Sequence, residues 1–385
     1  MDSIVTTIEF ASSGIRLVSG YYFHGKVYVL AALEGDNIPL DADGLMDTKA
    51  TEQSLALLLS TAKKSLKNDL GVIISLLPPD GFLVKQGQGR STTVDPASRI
   101  TQIDYANCIS MINKDVKMEG KKVIYDDPVL FTDDNKRDFQ SFPMGIQSDQ
   151  LNVLADAHLI SKDSFLHYEQ ILQDMGLTVY LNLIAPFSGT VFINSFEAPL
   201  SYVALDVEKD HFYMSYVSKK RFLFTENIRY GISDGVHAAS QILKISEKNT
   251  NEALNLFGFS DNAGFDYQSD EKKTLKDFSN AFKSGFDPLV KEISRFINDH
   301  LLLQDTPIVF FGLGSDIELM DKYLSDSLKR PVYIFSAKVI GSRSKVFVDG
   351  LGAIKVSSFN YQEPKYGARR KADEEELKNT SFGRN

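Results

Sequence analysis

Tryptophan is absent from the 385 residues, and cysteine occurs once, at Cys108. One thiol cannot build an internal disulfide framework or a cysteine-based zinc site, and it fits a reducing compartment. Its expected role is that of a small buried apolar residue. No window approaches the ~18 apolar residues a membrane span requires. The opening MDSIVTTIEF lacks the basic start and apolar run of a signal peptide. A soluble, cytoplasmic chain with at most peripheral membrane contact is therefore expected. Basic charge is in deficit, with 42 Lys and Arg against 51 Asp and Glu and a net charge of −9. Phosphate-backbone binding relies on clustered Lys and Arg, so no nucleic-acid partner is expected. The six histidines are scattered without an HExxH pair, and there is no G-x-S-x-G elbow or Walker A lysine loop. The basic triplet Arg369-Arg370-Lys371 is followed by Asp and Glu and reads as a solvated run rather than a membrane patch.

Apolar material is plentiful: 43% of residues are hydrophobic, including 26 Phe and 16 Tyr. With this length, two or more domains are expected. Residues 4–10, 15–22 and 26–33 read as three strands joined by short turns, an antiparallel meander. A helix with an apolar stripe at Leu55, Leu58, Leu59, Ala62 and Leu66 follows, then a wholly apolar strand at 71–77 stopped by Pro78-Pro79. The same β-β-β-α-β order returns from about residue 201, with strands at 201–207, 211–217, 221–228 and 308–311. Between Asp287 and Pro288 a helix start is expected, and Ser315 with Glu318 reads as a capping box opening another helix. These patterns predict an α/β chain with a duplicated actin-like (ribonuclease-H-like) two-lobed fold. The first lobe spans 1–78 and 158–199, and an inserted interaction subdomain of more polar texture spans 79–157. The second lobe spans 200–358 with a helical subdomain at about 229–303, and a disordered tail covers 359–385.

The logic of such a fold is a nucleotide held between lobes. Phosphate needs converging backbone N–H groups, small residues and a metal-holding carboxylate. Three turns are candidates. The first contains Ser12, Ser13, Gly14 and Arg16; the second, Asp206 to His211, has no glycine; the third contains Gly312, Gly314 and Ser315.

The order of parts resembles the FtsA-type bacterial cell-division protein over residues 3 to 357. Carrying residues are the 38–47 segment before the first helix, Phe142-Pro143-Met144-Gly145 with the strand 151–160, and the 227–236 segment containing Gly231. The resemblance implies ATP with Mg in a degenerate site, held weakly or not at all, with Asp206 as the metal carboxylate. Ala11, Ala185 and the glycine-free 207–210 turn replace the family's phosphate residues, which implies little hydrolysis. It further implies that FtsZ docks its C-terminal peptide on the 229–303 segment, at Phe286, Lys291 and Arg295. Other division proteins would bind the inserted subdomain, self-association is implied, and the place of action is the inner membrane face at the division site. The tail lacks the family's amphipathic helix. The second resemblance is to the PilM-type pilus assembly protein, carried by the 12–18 turn. An active ATP-dependent kinase of the same superfold is the third reading, and it would need intact phosphate glycines and a carboxylate base.

Overall fold

The computed structural model describes residues 4–360 apart from 12–13, 37, 41–44, 68, 262–272, 337–338, 340 and 342–344. Ser12, Ser13 and the tail from 361 lie outside the described residues. The chain opens with β1 (Val5–Ala11), β2 (Gly14–Phe23) and β3 (Lys26–Glu34), then α1 (Thr48–Ser65) and β4 (Val72–Leu77). Asp47 caps α1, its side chain accepting from the Ala50 N–H at 2.8 Å. Next come β5 (Leu83–Thr92), α2 (Gln102–Asp115), β6 (Lys121–Asp133), β7 (Asp138–Phe139) and β8 (Gln150–Ser161). After α3 (Lys162–Asp174), β9 (Val179–Ile184) and α4 (Ala185–Ile193) the pattern restarts. The second half holds β10 (Tyr202–Val207), β11 (Phe212–Ser218), β12 (Arg221–Ile228), α5 (Ile232–Leu243), α6 (Glu247–Phe257) and α7 (Leu275–Asp299). It closes with β13 (Ile308–Phe311), α8 (Met320–Leu328), β14 (Val332–Ile334) and α9 (Val348–Asn360).

Two five-stranded sheets share one topology. The first runs β3-β2-β1-β4-β9 and the second β12-β11-β10-β13-β14. In each, the meander is antiparallel and the two later strands join in parallel. Parallel strands require crossovers, here made by helices. The central strands β1 and β10 are buried along their whole length, as strands covered on both faces must be. A third, antiparallel sheet of order β5-β8-β6-β7 belongs to the stretch between β4 and α3, with α2 packed on it through Cys108 and Ile112. Its strands were hard to read because β6 is half-buried on both faces and is interrupted by register shifts around Tyr125 and Pro128. Among the described residues no helix is long and apolar enough to cross a membrane.

Three local expectations are corrected. The helix expected at Ser315 begins at Met320; residues 313–316 form a 3₁₀ turn, and the left-handed Leu319 (φ 61°) separates the two. No helix starts at Pro288, because α7 runs through it. Proline there forfeits one backbone bond, but the apolar face of Phe282, Phe286, Leu289, Ile293 and Phe296 is fully buried on both sides of it. Burying each such side chain contributes about 1.5–3 kcal/mol, enough to carry the helix across. Helix α9 went unread from sequence: it is buried nearly all round and has no amphipathic period.

His158 marks the place where the third sheet, the first lobe and the second lobe meet. It is fully buried between the rings of Phe82, Tyr125, Phe187 and Phe222, and neither ring nitrogen has a hydrogen-bond partner. Burial pushes its pKa down to about 3. Between the ordinary value near 6.5 and about 3, the unfolded chain binds a proton that the fold excludes, so stability falls as pH drops through that window. An orphaned buried polar group costs about 1–3 kcal/mol. His158→Leu is therefore expected to raise the urea midpoint at pH 7 and to flatten the acid limb of the stability curve. An unchanged acid limb would show that His158 does not report this burial.

Candidate functional site

The equivalent ends of the two sheets face each other across the junction between lobes. Glu9 is the last residue of β1 in parallel register with β4, opposite Leu76. Asp206 holds the same place in β10, opposite Phe311 of β13. Duplication thus sets one carboxyl group at the corresponding point of each sheet. Strand pairing adds the rest of the first lobe's contribution. Arg16 lies across from Glu9 in the β1–β2 register and across from Glu34 in the β2–β3 register.

Arg16 is only 2% exposed, and its guanidinium is fully committed to carboxylates. Nη1 donates to Glu208 Oε1 at 3.0 Å and Nη2 to Glu208 Oε2 at 2.5 Å, a forked pair that ties β2 to the β10–β11 turn of the other lobe. Nη1 also donates to Glu9 Oε1 and Nε to Glu34 Oε1, both at 3.3 Å. Asp349, at the first turn of α9, is equally buried and reaches Gly189 of α4, where an added Cβ would lie 2.1 Å from its Oδ1. Glu9 Oε2, Asp206 Oδ1 and Asp349 Oδ1 are buried without a hydrogen-bond partner.

The electrostatics follow from four buried carboxyl groups sharing one buried guanidinium. Desolvation disfavours the charged carboxylate. Burial first, and then the neighbouring Glu208, lift Glu9 to about 7 against the pull of Arg16. Asp206 is held well above the ordinary carboxylate range by burial and by Glu208, and Asp349 by burial together with Glu9 and Asp206. Burial opposes the charge on Arg16, but Glu208 and Glu9 together keep it protonated. His211, behind the turn, is pushed down to about 3 by burial and then by Arg16 and Arg229.

Of the residues expected to hold nucleotide, the described ones lie near the junction, and several are closely packed against this chain's own atoms. Gly312 has φ +76°, a left-handed region that favours glycine, and an added Cβ would sit 1.9 Å from Asp206 Oδ1. Gly314 packs on the Val207 side chain, and Ser315 turns inward to donate to the Gly312 carbonyl at 2.8 Å. Gly231 abuts the Lys209–Asp210 peptide, and the first N–H groups of α5, from Ile232 and Ser233, donate to the Glu208 and Lys209 carbonyls. A helix N-terminus so occupied is no anion cradle. Gly14 packs against the Asp36 carbonyl. Arg16 and Asp206 sit at the junction as expected, but paired with and surrounded by carboxyl groups of this chain. Among the described residues no three His, Cys, Asp or Glu side chains are grouped to hold a metal. ATP with Mg does not fit this arrangement: phosphate would meet four carboxyl groups and a guanidinium already paired.

The expected partner site is corrected as well. Phe286 is fully buried in the core of the second lobe, its ring in the notch left by Gly235. Lys291 pairs with Asp287 at 2.7 Å, and Arg295 with Glu226, Glu292 and Asp299 at 2.8–3.0 Å. Glu208 and Asp349 were missed from sequence. The first lies in the turn singled out for Asp206, but a glutamate in a turn is an ordinary solvated residue until the opposing lobe is placed. The second carried no signal short of the three-dimensional fold.

No family model and no curated protein matches the chain. Solved structures do. The chain superposes on a PilM–PilN type IV pilus biogenesis complex with a TM-score of 0.59 at 13% identity, covering 92% of this chain and 98% of that one. A diol dehydratase-reactivating factor in nucleotide-free form gives 0.54 at 8% identity, covering 93% and 100%. The ethanolamine utilization protein EutJ from Carboxydothermus hydrogenoformans gives 0.53 at 10% identity, covering 91% and 89%. These likenesses show the fold, a two-lobed actin-like α/β architecture. None of these three is an FtsA-type protein, whereas the PilM type, the second resemblance read from sequence, is among them.

Proposed function

We propose that this chain is an actin-fold assembly scaffold that works without nucleotide, holding partner proteins rather than turning over a substrate. The observation that carries this reading is the Arg16–Glu208 fork, which puts a guanidinium where the fold otherwise brings phosphate between its hairpin turns. The kinase reading needs that space for ATP and loses it. Of the two scaffold readings, the pilus one is favoured. The solved PilM relative is a complex with a second protein, PilN, while the division reading rested on a groove at Phe286 that is core. Partner contact through the third sheet has its own support. The outer face of α2 presents Ile103 (60% exposed), Ala106, Asn107, Ser110 and Met111 (48% exposed) before it ends in the exposed Lys114 and Asp115, and exposed apolar side chains grouped on one face mark protein contacts. Self-association and a place at the inner membrane face remain part of the proposal.

Isothermal titration with ATP and ADP, each with Mg, is expected to give no binding tighter than about 1 mM, which is about −4 kcal/mol. Micromolar affinity, or phosphate release near the ~1 s⁻¹ low end of ordinary enzymes, would overturn the reading. Parallel titrations with an FtsZ tail peptide and a PilN-type partner separate division from pilus assembly. Binding of the FtsZ tail alone reinstates the division role.

A further inference from the structure

Two buried groups on different lobes form the only forked ion pair at the Arg16 junction among the described residues, and it spans the lobes. The charges that face it come from every element packed there. Glu9 stands on β1, Glu34 on β3, Asp206 on β10, Glu208 in the turn, His211 before β11, Tyr213 on β11 and Asp349 on α9, with Arg229 beyond β12. Ionised together, the four buried carboxyl groups would far outweigh one guanidinium in a space without water access. A protonated carboxyl group tolerates burial where a carboxylate does not. The three oxygens without partners, on Glu9, Asp206 and Asp349, are where protons have room to sit.

We infer that this cluster is a proton-loaded latch: its protonated surplus carboxyl groups let the Arg16–Glu208 fork hold the lobes together, and their deprotonation as pH rises releases one lobe from the other. The inference rests on the reading that the cleft takes no nucleotide, and it names what sets the lobe angle in its place. The sign is fixed by linkage. Parting the lobes hydrates Glu9, Asp206 and Asp349 and returns them toward the ordinary carboxylate range, so the open form binds fewer protons. Rising pH therefore favours opening. Glu9, raised to about 7, places the onset near neutrality.

A second contact, between the third sheet and the second lobe, has the same composition. Arg221 of β12 makes a forked pair with Asp156 of β8, and Asp127 stands directly opposite Asp156 in the β6–β8 register. Burial and the Asp156 charge lift Asp127 to about 7, and Asp126 beside it, hydrogen-bonded to Asn113, is lifted to about 6 by burial. Two junctions that each oppose surplus acid to one arginine will respond to pH in the same direction.

The test measures the distance between lobes. Leu57 on α1 and Leu256 on α6 are 65% and 71% exposed, and the native Cys108 is fully buried. Spin labels on Leu57→Cys/Leu256→Cys are read by pulsed electron resonance from pH 5.5 to 9, with and without ATP and Mg. One distance population is expected at pH 5.5 and a second, growing one above about pH 7. The open-to-closed ratio is expected to change by up to tenfold per pH unit for each proton released. Adding Glu9→Gln, which cannot ionise, is expected to lower that slope, and Asp349→Asn to lower it further. A wild-type distance distribution unchanged from pH 5.5 to 9, or a slope untouched by both substitutions, overturns the latch. A distance change produced by ATP and Mg at constant pH overturns the scaffold reading instead. Hydrogen exchange of β10 and β1 across the same pH range repeats the wild-type arm without any substitution, and protection that stays constant counts against the latch.

Discussion

Arg16→Ala is expected to lower the stability of the protein by about 3–5 kcal/mol at pH 7, the cost of leaving a buried carboxylate without its countercharge. The guanidinium is 2% exposed, and Glu208, its forked partner, is 1% exposed. Water cannot reach in to replace it without parting the lobes. Urea unfolding followed by circular dichroism measures the effect, since the chain has no tryptophan. A second variant isolates the cause. Arg16→Met with Glu208→Gln removes both charges while keeping the side-chain volume, and it is expected to recover most of the loss, because an apolar or neutral replacement of a whole buried pair is often near neutral. A loss below about 1 kcal/mol in Arg16→Ala would mean that the junction is hydrated and the fork superficial, and the scaffold reading would lose its carrying observation.

Phe286→Ala is the second large expectation, again about 3–5 kcal/mol, the usual range for truncating a buried phenylalanine. Its ring fills the notch at Gly235 on α5, where an added Cβ would lie 2.5 Å from the ring carbons, and it stands 5.5 Å from the Phe259 ring. Lys291→Glu and Arg295→Glu are expected to shift the unfolding midpoint little, since both side chains are exposed and make surface ion pairs. The three variants together decide between core and docking site. A folded, stable Phe286→Ala that has lost partner binding would restore the surface reading of this helix.

The meander, the duplication and the apolar strands were legible because they rest on short-range signals. Alternation and turn residues fix residues 5–34, and the same signals fix 202–228. What escaped was set by long-range contact. Pro288 reads as a helix start in isolation, and only the continuous buried face of α7 overrides it. Phe286 with nearby lysines reads equally well as groove or core, since a helical stripe of phenylalanines does not say what covers it. At the junction, Glu9, Arg16 and Glu34 are cross-strand neighbours, so their ion pairing was implicit in the register of the first hairpins. Glu208 is 192 residues from Arg16 in the chain, and no local pattern couples positions that far apart. The glycine-free turn reads against a close phosphate contact, but it could not say that the Arg16 guanidinium of the other lobe pairs with Glu208 within it.

Helix α9 gives the chain an order of assembly. It lies late in the sequence and yet packs on β1 and β2, from the start of it, and on α4, from its middle. Its glycines sit against those elements: Gly350 faces Val18 and Thr7, and Gly352 faces the Ser188 carbonyl. A ribosome therefore delivers the strands of the first lobe long before the element that covers them. Until residues 348–360 have left the exit tunnel, Val18 and its neighbours have no lid, whereas the second sheet already has all its strands. During synthesis the lobe made first is the one completed last. A chain stalled before residue 348 would present an uncovered apolar sheet face, the kind of surface that aggregates or recruits a chaperone.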